Sequence, residues 1–127
     1  MSERIIKFRG KRKDNREWLY GNLIVTTHIG MWIGEEKDRF YQVVPDSVSQ
    51  FTGLKDKNGV DIYEGHIVKN IYINSEAFGE ESVVEWHGNI SGFTLLFESI
   101  GQHKMLGMYE KIEIIGNIFD NPELLKQ

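Results

Sequence analysis

The segment Gln50–Lys69, QFTGLKDKNGVDIYEGHIVK, is the most patterned stretch of the chain, and its reading decides the architecture. Phe51 and Leu54 are apolar anchors on either side of Gly53, a residue that lets the backbone bend where a Cβ would obstruct it. Asn58-Gly59 is a strong short turn signal because both residue types tolerate φ > 0. Ile62 and Tyr63 follow, and Glu64-Gly65 supplies a second turn. Ile67-Val68 then restart a strand with β-branched residues that suit a pleated, half-buried surface. Two turns in so short a span corner the chain twice, as small β-barrels do. The motif of Gly53, Asn58, Gly59, Tyr63, Glu64 and Gly65 therefore reads as a structural corner, with Tyr63 and Glu64 capping it against the following strand.

Downstream of the corner, Ile67–Ile73 alternates as a strand, the polar segment 74–81 reads as a hairpin loop, and Ser82–Trp86 returns as a second strand. Gly92–Phe97 is a further strand. Met105–Tyr109, with a glycine and two methionines, suits a loose edge strand or an ordered loop equally. Glu113–Phe119 closes the sheet, and Gly116 in its middle predicts a bulge. Asn121 as N-cap, Pro122 at the first helical position and Glu123 in the first turn predict a helix of under two turns. Its Leu124 and Leu125 would cover an open barrel end.

Upstream, RIIKFR at Arg4–Arg9 reads as a short strand, and Gly10 with the Lys13–Arg16 cluster turns the chain. Glu17–Thr27 is a longer strand with Trp18, Tyr20 and Ile24 on one face and Leu19, Leu23 and Val25 on the other. Apolar groups on both faces predict burial on both sides, as a partner subunit would provide. Gly30–Gly34 and Arg39–Val44 read as a hairpin around the charged run Glu35-Glu36-Lys37-Asp38. Pro45 interrupts it and opens a helical turn over residues 45–48. The expected fold is all-β, mainly β with a short C-terminal helix. It forms a single domain over residues 1–127, divided into an N-terminal β-layer, 1–50, and a C-terminal barrel portion, 51–127.

Three blocks, FRGKRKDNREWLYGNL, TGLKDKNGVDIYEGHIVK and IEIIGNIFDNPELL, stand in the order seen in the YopX family of phage and prophage proteins, which this chain resembles over nearly its whole length. The resemblance implies a mainly β fold with an SH3-like barrel portion, a phage or prophage origin, and no established biochemical activity. The family usually carries an acidic residue where His66 stands here, so a role built on a carboxylate at that position does not carry over.

Composition narrows the function classes. A chain of 127 residues fits one domain that buries roughly two-thirds of its unfolded surface. The absence of cysteine removes disulfides and thiolate metal sites and agrees with a reducing, cytoplasmic setting in a bacterial host. The longest apolar runs are three residues, as at Leu23-Ile24-Val25, so no signal peptide, transmembrane helix or membrane partner is expected. Seven of the fifteen basic residues lie within residues 1–16 against Glu3 and Asp14, a net of +5, while the rest of the chain carries −9. Such a polar chain can bind itself head to body, or offer its basic end to phosphate.

Residues with chemistry are scattered. His28, His66, His87 and His103 have no paired metal-ligand spacing, and only His66 and His87, on consecutive strands, stand where they could meet. Asp56, Asn58, Asp61 and Glu64 fail the calcium-loop pattern, since glycine falls fourth rather than sixth and the glutamate ninth rather than twelfth, as an EF-hand requires. Their residue types fit tight turns instead. There is no G-x-S-x-G elbow and no phosphate-binding glycine loop. No catalytic residue, metal or cofactor is expected, and the chain reads as a non-enzymatic phage accessory module that self-associates or binds a host or phage protein. The alternative is a nucleic-acid-binding β-barrel that uses Lys11, Arg12, Lys13 and Arg16 with Trp18 or Tyr20 stacking on bases.

Overall fold

The computed structural model describes residues 4–35, 39–109 and 111–125. The chain is mostly β, built from antiparallel sheets, and none of them closes into a barrel among the described residues. It divides into two compact units, residues 1–53 and 54–127.

The first unit contains β1 (Phe8–Lys11), β2 (Trp18–Thr26), β3 (Gly30–Gly34), β4 (Phe40–Val43) and the start of β5 (Ser49–Lys55), in the sheet order β4-β3-β2-β1-β5. The segment Arg4–Lys7, expected to be strand, lies outside β1, whose pairing begins at Phe8 opposite Gly21 and Gln50. Glycine makes the packing possible. A Cβ on Gly10 would sit 3.0 Å from Ile33 Cδ1 and 3.2 Å from Val43 Cβ, so β1 lies directly on the two most buried apolar side chains of this unit. A single bridge, Arg12 to Val43, ties the end of β1 to β4, with Val44 N–H donating to Lys11 O. Pro45–Ser47 forms the expected helical turn, as 3-10, and its Ser47 hydroxyl accepts the Lys11 N–H at 2.8 Å. Within the charged run between β3 and β4, residues 36–38 lie outside the described residues.

The second unit holds the end of β5, then β6 (Asp61–Tyr63), β7 (His66–Asn70), β8 (Glu81–Val83), β9 (Glu85–His87), β10 (Gly92–Leu95), β11 (Lys104–Met105) and β12 (Ile112–Asn117). Two three-stranded sheets, β12-β7-β8 and β11-β10-β9, enclose a core of Ile62, Val68, Ala77, Val84, Leu95, Phe97, Leu106 and Ile112. The single strand expected over Ser82–Trp86 is two strands in different sheets. They part at Val84, which is fully buried and pairs by backbone with Gly65 and His66. The ambiguous Met105–Tyr109 segment is one residue of β11 followed by a 3-10 turn, Leu106–Met108. The expected bulge is present, since the β12–β7 register shifts between Ile114 and Gly116. The expected C-terminal helix is not formed: Pro122–Leu125 is one 3-10 turn. Leu124 approaches Gly116, whereas Leu125 is exposed. Asn117 draws this segment into a knot of local bonds, its Oδ1 accepting from Phe119 and Asp120 N–H at 2.9 Å each.

The corner itself turns by a different chemistry from the Asn-Gly hairpin that its sequence suggests. Asp56 N–H donates to Val60 O and Gly59 N–H to Asp56 O, and Gly59 has φ +79° while Asn58 is not among the residues with positive φ. This is the three-residue hairpin loop that ends on a left-handed glycine. Gly65, at φ +90°, makes the second turn, donating to Val84 O and accepting from Ile118 N–H. The Asp56 carboxylate holds the loop in place. Its Oδ1 accepts from Asn58 N–H at 2.8 Å and Val60 N–H at 3.0 Å, and its Oδ2 accepts from Ile114 N–H of β12 at 3.0 Å. Asp56→Ala leaves three backbone donors without this acceptor and should lower stability by about 2–4 kcal/mol, whereas Asp56→Asn, which keeps one acceptor oxygen, should cost about half as much. Urea unfolding of the two variants beside wild type measures both values.

Candidate functional site

The basic hairpin β1–β2 is where the sequence places its candidate ligand-binding residues, and its register puts Lys11 opposite Trp18 and Arg9 opposite Tyr20 on one face. Arg9, which sequence reasoning passed over, is 4% exposed, with its guanidinium carbon 4.0 Å from the Trp18 ring centroid. Lys11 Nζ lies 5.1 Å from the same centroid. The indole therefore covers a buried cation of its own chain. Period-2 alternation was the signal that could have exposed Arg9, because it falls on the face shared by Trp18 and Tyr20.

Arg12 is engaged twice. Its guanidinium stacks 4.0 Å from the Tyr41 centroid, and Nε and Nη2 donate to Asp14 Oδ1 and Oδ2 at 2.9 and 2.7 Å. The fork-to-fork pair holds the Asp14 carboxyl below its ordinary pKa and raises that of Arg12. Lys13 and Arg16 stand exposed in the loop, with Arg16 at φ +64° donating its N–H to Arg12 O. Tyr20 is 45% exposed, beside an open groove of about 670 Å³ that also involves Trp18, Glu35, Arg39 and Tyr41. The structure thus brings the six residues into one hairpin but divides them. Lys11, Arg12 and Trp18 are committed to internal contacts, and Lys13, Arg16 and Tyr20 face outward.

At the corner, Gly53 at φ +89° bends β5 in open space, and Tyr63 is buried. His66 has a local task. Its Nδ1 accepts the Tyr63 N–H at 2.9 Å, closing the Glu64-Gly65 turn, and its ring meets Tyr63 edge-on at 6.2 Å. A carboxylate at this position could accept the same N–H. The ring of His87 meets that of His103, with centroids 4.3 Å apart, where the sequence led to an expectation of His66. Among the described residues, no group of three or more His, Asp or Glu is arranged to hold a metal ion, and no helix is long and apolar enough to cross a membrane.

The family model described as YopX protein matches residues 7–126. The chain belongs to the YopX family. Its match covers both units, from the first residues before β1 to the turn after β12. Among solved structures, the YopX chain is similar to the crystal structure of protein EF1440 from Enterococcus faecalis, with a TM-score of 0.55 and 24% identity over 96% of this chain and 99% of the other, a likeness of fold. No curated protein matches it. Of the three sequence blocks that carry the family resemblance, the corner and the closing block are joined in the second unit by Asp56 to Ile114 and Gly65 to Ile118, and the first block forms β1 and β2.

Trp18→Ala should lower stability by about 2–4 kcal/mol, because it removes a large half-buried ring and uncovers the buried Arg9 guanidinium. An unchanged urea midpoint would instead mark the ring as a surface group held out for a ligand.

Proposed function

We propose that this YopX protein is a non-enzymatic accessory module of phage or prophage origin, acting in the host cytoplasm and self-associating through the β2–β3 hairpin. The observation that carries the reading is the exposure of β2. Ile24 is 44% and Val25 59% exposed, and as neighbours in a strand they point to opposite faces. Ile29, in the turn to β3, is 69% exposed. Exposed β-branched apolar side chains thus stand on both faces and in the turn of one hairpin, where a partner would dry them.

A second copy is the occupant favoured by charge. The segment 1–16 carries +5 and the remainder −9, so two copies can pair basic end to acidic body. We read the SH3-like portion implied by the family onto the second unit, whose two three-stranded sheets share one core. The nucleic-acid reading keeps the exposed Lys13, Arg16 and Tyr20, but its other aromatic, Trp18, lies over Arg9.

Light scattering on wild type should give a mass above the 14.8 kDa of one chain. Val25→Asp combined with Ile29→Asp should raise the dissociation constant at least about tenfold, equivalent to about 1.4 kcal/mol, with an unchanged melting temperature. A wild type that stays monomeric at high concentration sinks this reading. Should that protein also shift a labelled oligonucleotide at low salt and release it as salt rises, the nucleic-acid reading takes its place.

A further inference from the structure

His87 and His103 are sixteen positions apart in sequence, and neither has a role in the corner, the core or the hairpin surface. The sheet β11-β10-β9 brings them together. His87 ends β9 opposite Gly92 of β10, which has no side chain to stand between the strands, and His103 immediately precedes β11. Their rings lie 4.3 Å apart, centroid to centroid, inclined at 48°. Beside His103 stands Thr94, completely buried in the middle of β10 and opposite both Glu85 and Met105.

The Thr94 hydroxyl lies 3.3 Å from Glu85 O and 3.1 Å from His103 Nδ1; in the His103 tautomer with the proton on Nδ1, the hydroxyl donates to the carbonyl and accepts from the imidazole N–H. That tautomer leaves the lone pair on Nε2 of His103. A ring nitrogen oriented by a donation from its other nitrogen is the arrangement found behind metal-bound histidines. His87 supplies the complementary oddity: its Nδ1 is buried and has no hydrogen-bond partner among the described residues. A buried polar atom left unmatched is costly, and a metal ion or a small reorientation toward one would satisfy it.

We propose that His87 and His103 form a two-imidazole site for a late first-row divalent metal ion, Cu²⁺, Ni²⁺ or Zn²⁺, with Thr94 as the residue that positions His103. Imidazole nitrogen suits these ions over Mg²⁺ or Ca²⁺, which demand oxygen ligands. No third His, Asp or Glu joins the pair among the described residues. The ion therefore keeps positions for water or for a ligand from outside the chain. Affinity follows the usual order for these metals, Cu²⁺ being held most tightly. The site lies within the second unit and does not depend on self-association through the β2–β3 hairpin.

Titration of the full chain with NiCl₂ by calorimetry, after treatment with a chelator, tests the proposal. Wild type and the control His28→Gln should bind one ion per chain. His87→Gln and His103→Gln should each weaken binding at least about tenfold, as loss of one of two ligands requires. Thr94→Val should weaken it about 10–100-fold, and Thr94→Ser should restore it, because a hydroxyl rather than a methyl orients the imidazole. Melting temperatures measured in chelator confirm that each variant is folded before its titration is read. No heat of binding with wild type, or wild-type affinity retained in either single histidine variant, overturns the site. Thr94→Val binding like wild type overturns the positioning role of the hydroxyl.

Discussion

The carboxylate of Asp56 is the point on which the second unit is assembled. A hairpin loop can form from local sequence alone, but its orientation on the rest of the fold needs a long-range bond. Asp56 supplies both, accepting two N–H groups of its own turn and one from Ile114, 58 residues away. Neighbouring bonds reinforce the junction, with Lys57 N–H donating to Ile112 O and Lys57 Nζ lying 3.4 Å from a Glu113 oxygen. Because β12 pairs with β7 along its length, locating the loop on β12 also locates the strand that leaves the next turn. A short side chain with two acceptor oxygens is suited to this, and its geometry explains why an apparently calcium-like acidic cluster has its leading carboxylate already occupied by backbone.

The all-β character and family membership were legible because their signals are local. Gly53, Gly59 and Gly65 all take positive φ, which is the conformation their residue type permits most readily. Gly116 marks a real irregularity in β12. Failures occur where distant groups decide. Ser82–Trp86 alternates smoothly in sequence, yet Val84 is drawn out of line by Gly65 and His66, and the strand is shared between two sheets. The closing segment has a proline and an acidic residue suited to a helix start, but Asn121 accepts from Asn117 N–H and Asn117 from residues beyond it, and these bonds stop at a single 3-10 turn. Sequence also predicted an Asn-Gly turn where the loop uses only the glycine in the left-handed region.

The candidate site shows the same division between residue type and geometry. Trp18 and its neighbouring cations are visible in the sequence as an aromatic set within a basic stretch. What sequence does not show is that Arg9 is folded beneath the ring and that Arg12 is shared between Tyr41 and Asp14. The histidines were more deeply hidden. His87 and His103 meet only because the chain runs out along β10 and back along β11, and no spacing rule links residues related by two successive strand reversals.

The burial of Arg9 has a consequence for how other molecules approach this protein. Of the cations in the first segment, one guanidinium is enclosed and a second is held at contact by Asp14, so fewer are presented at the surface than the sequence alone suggests. At about one Debye length, roughly 8–10 Å in physiological salt, a diffusing partner senses the exposed Arg4, Lys13 and Arg16 against a chain that is net acidic. Long-range steering thus favours encounter with cationic or mixed surfaces and disfavours capture of polyanions from a distance. Encounter rates, more than contact energies, are where that enclosed charge is expressed.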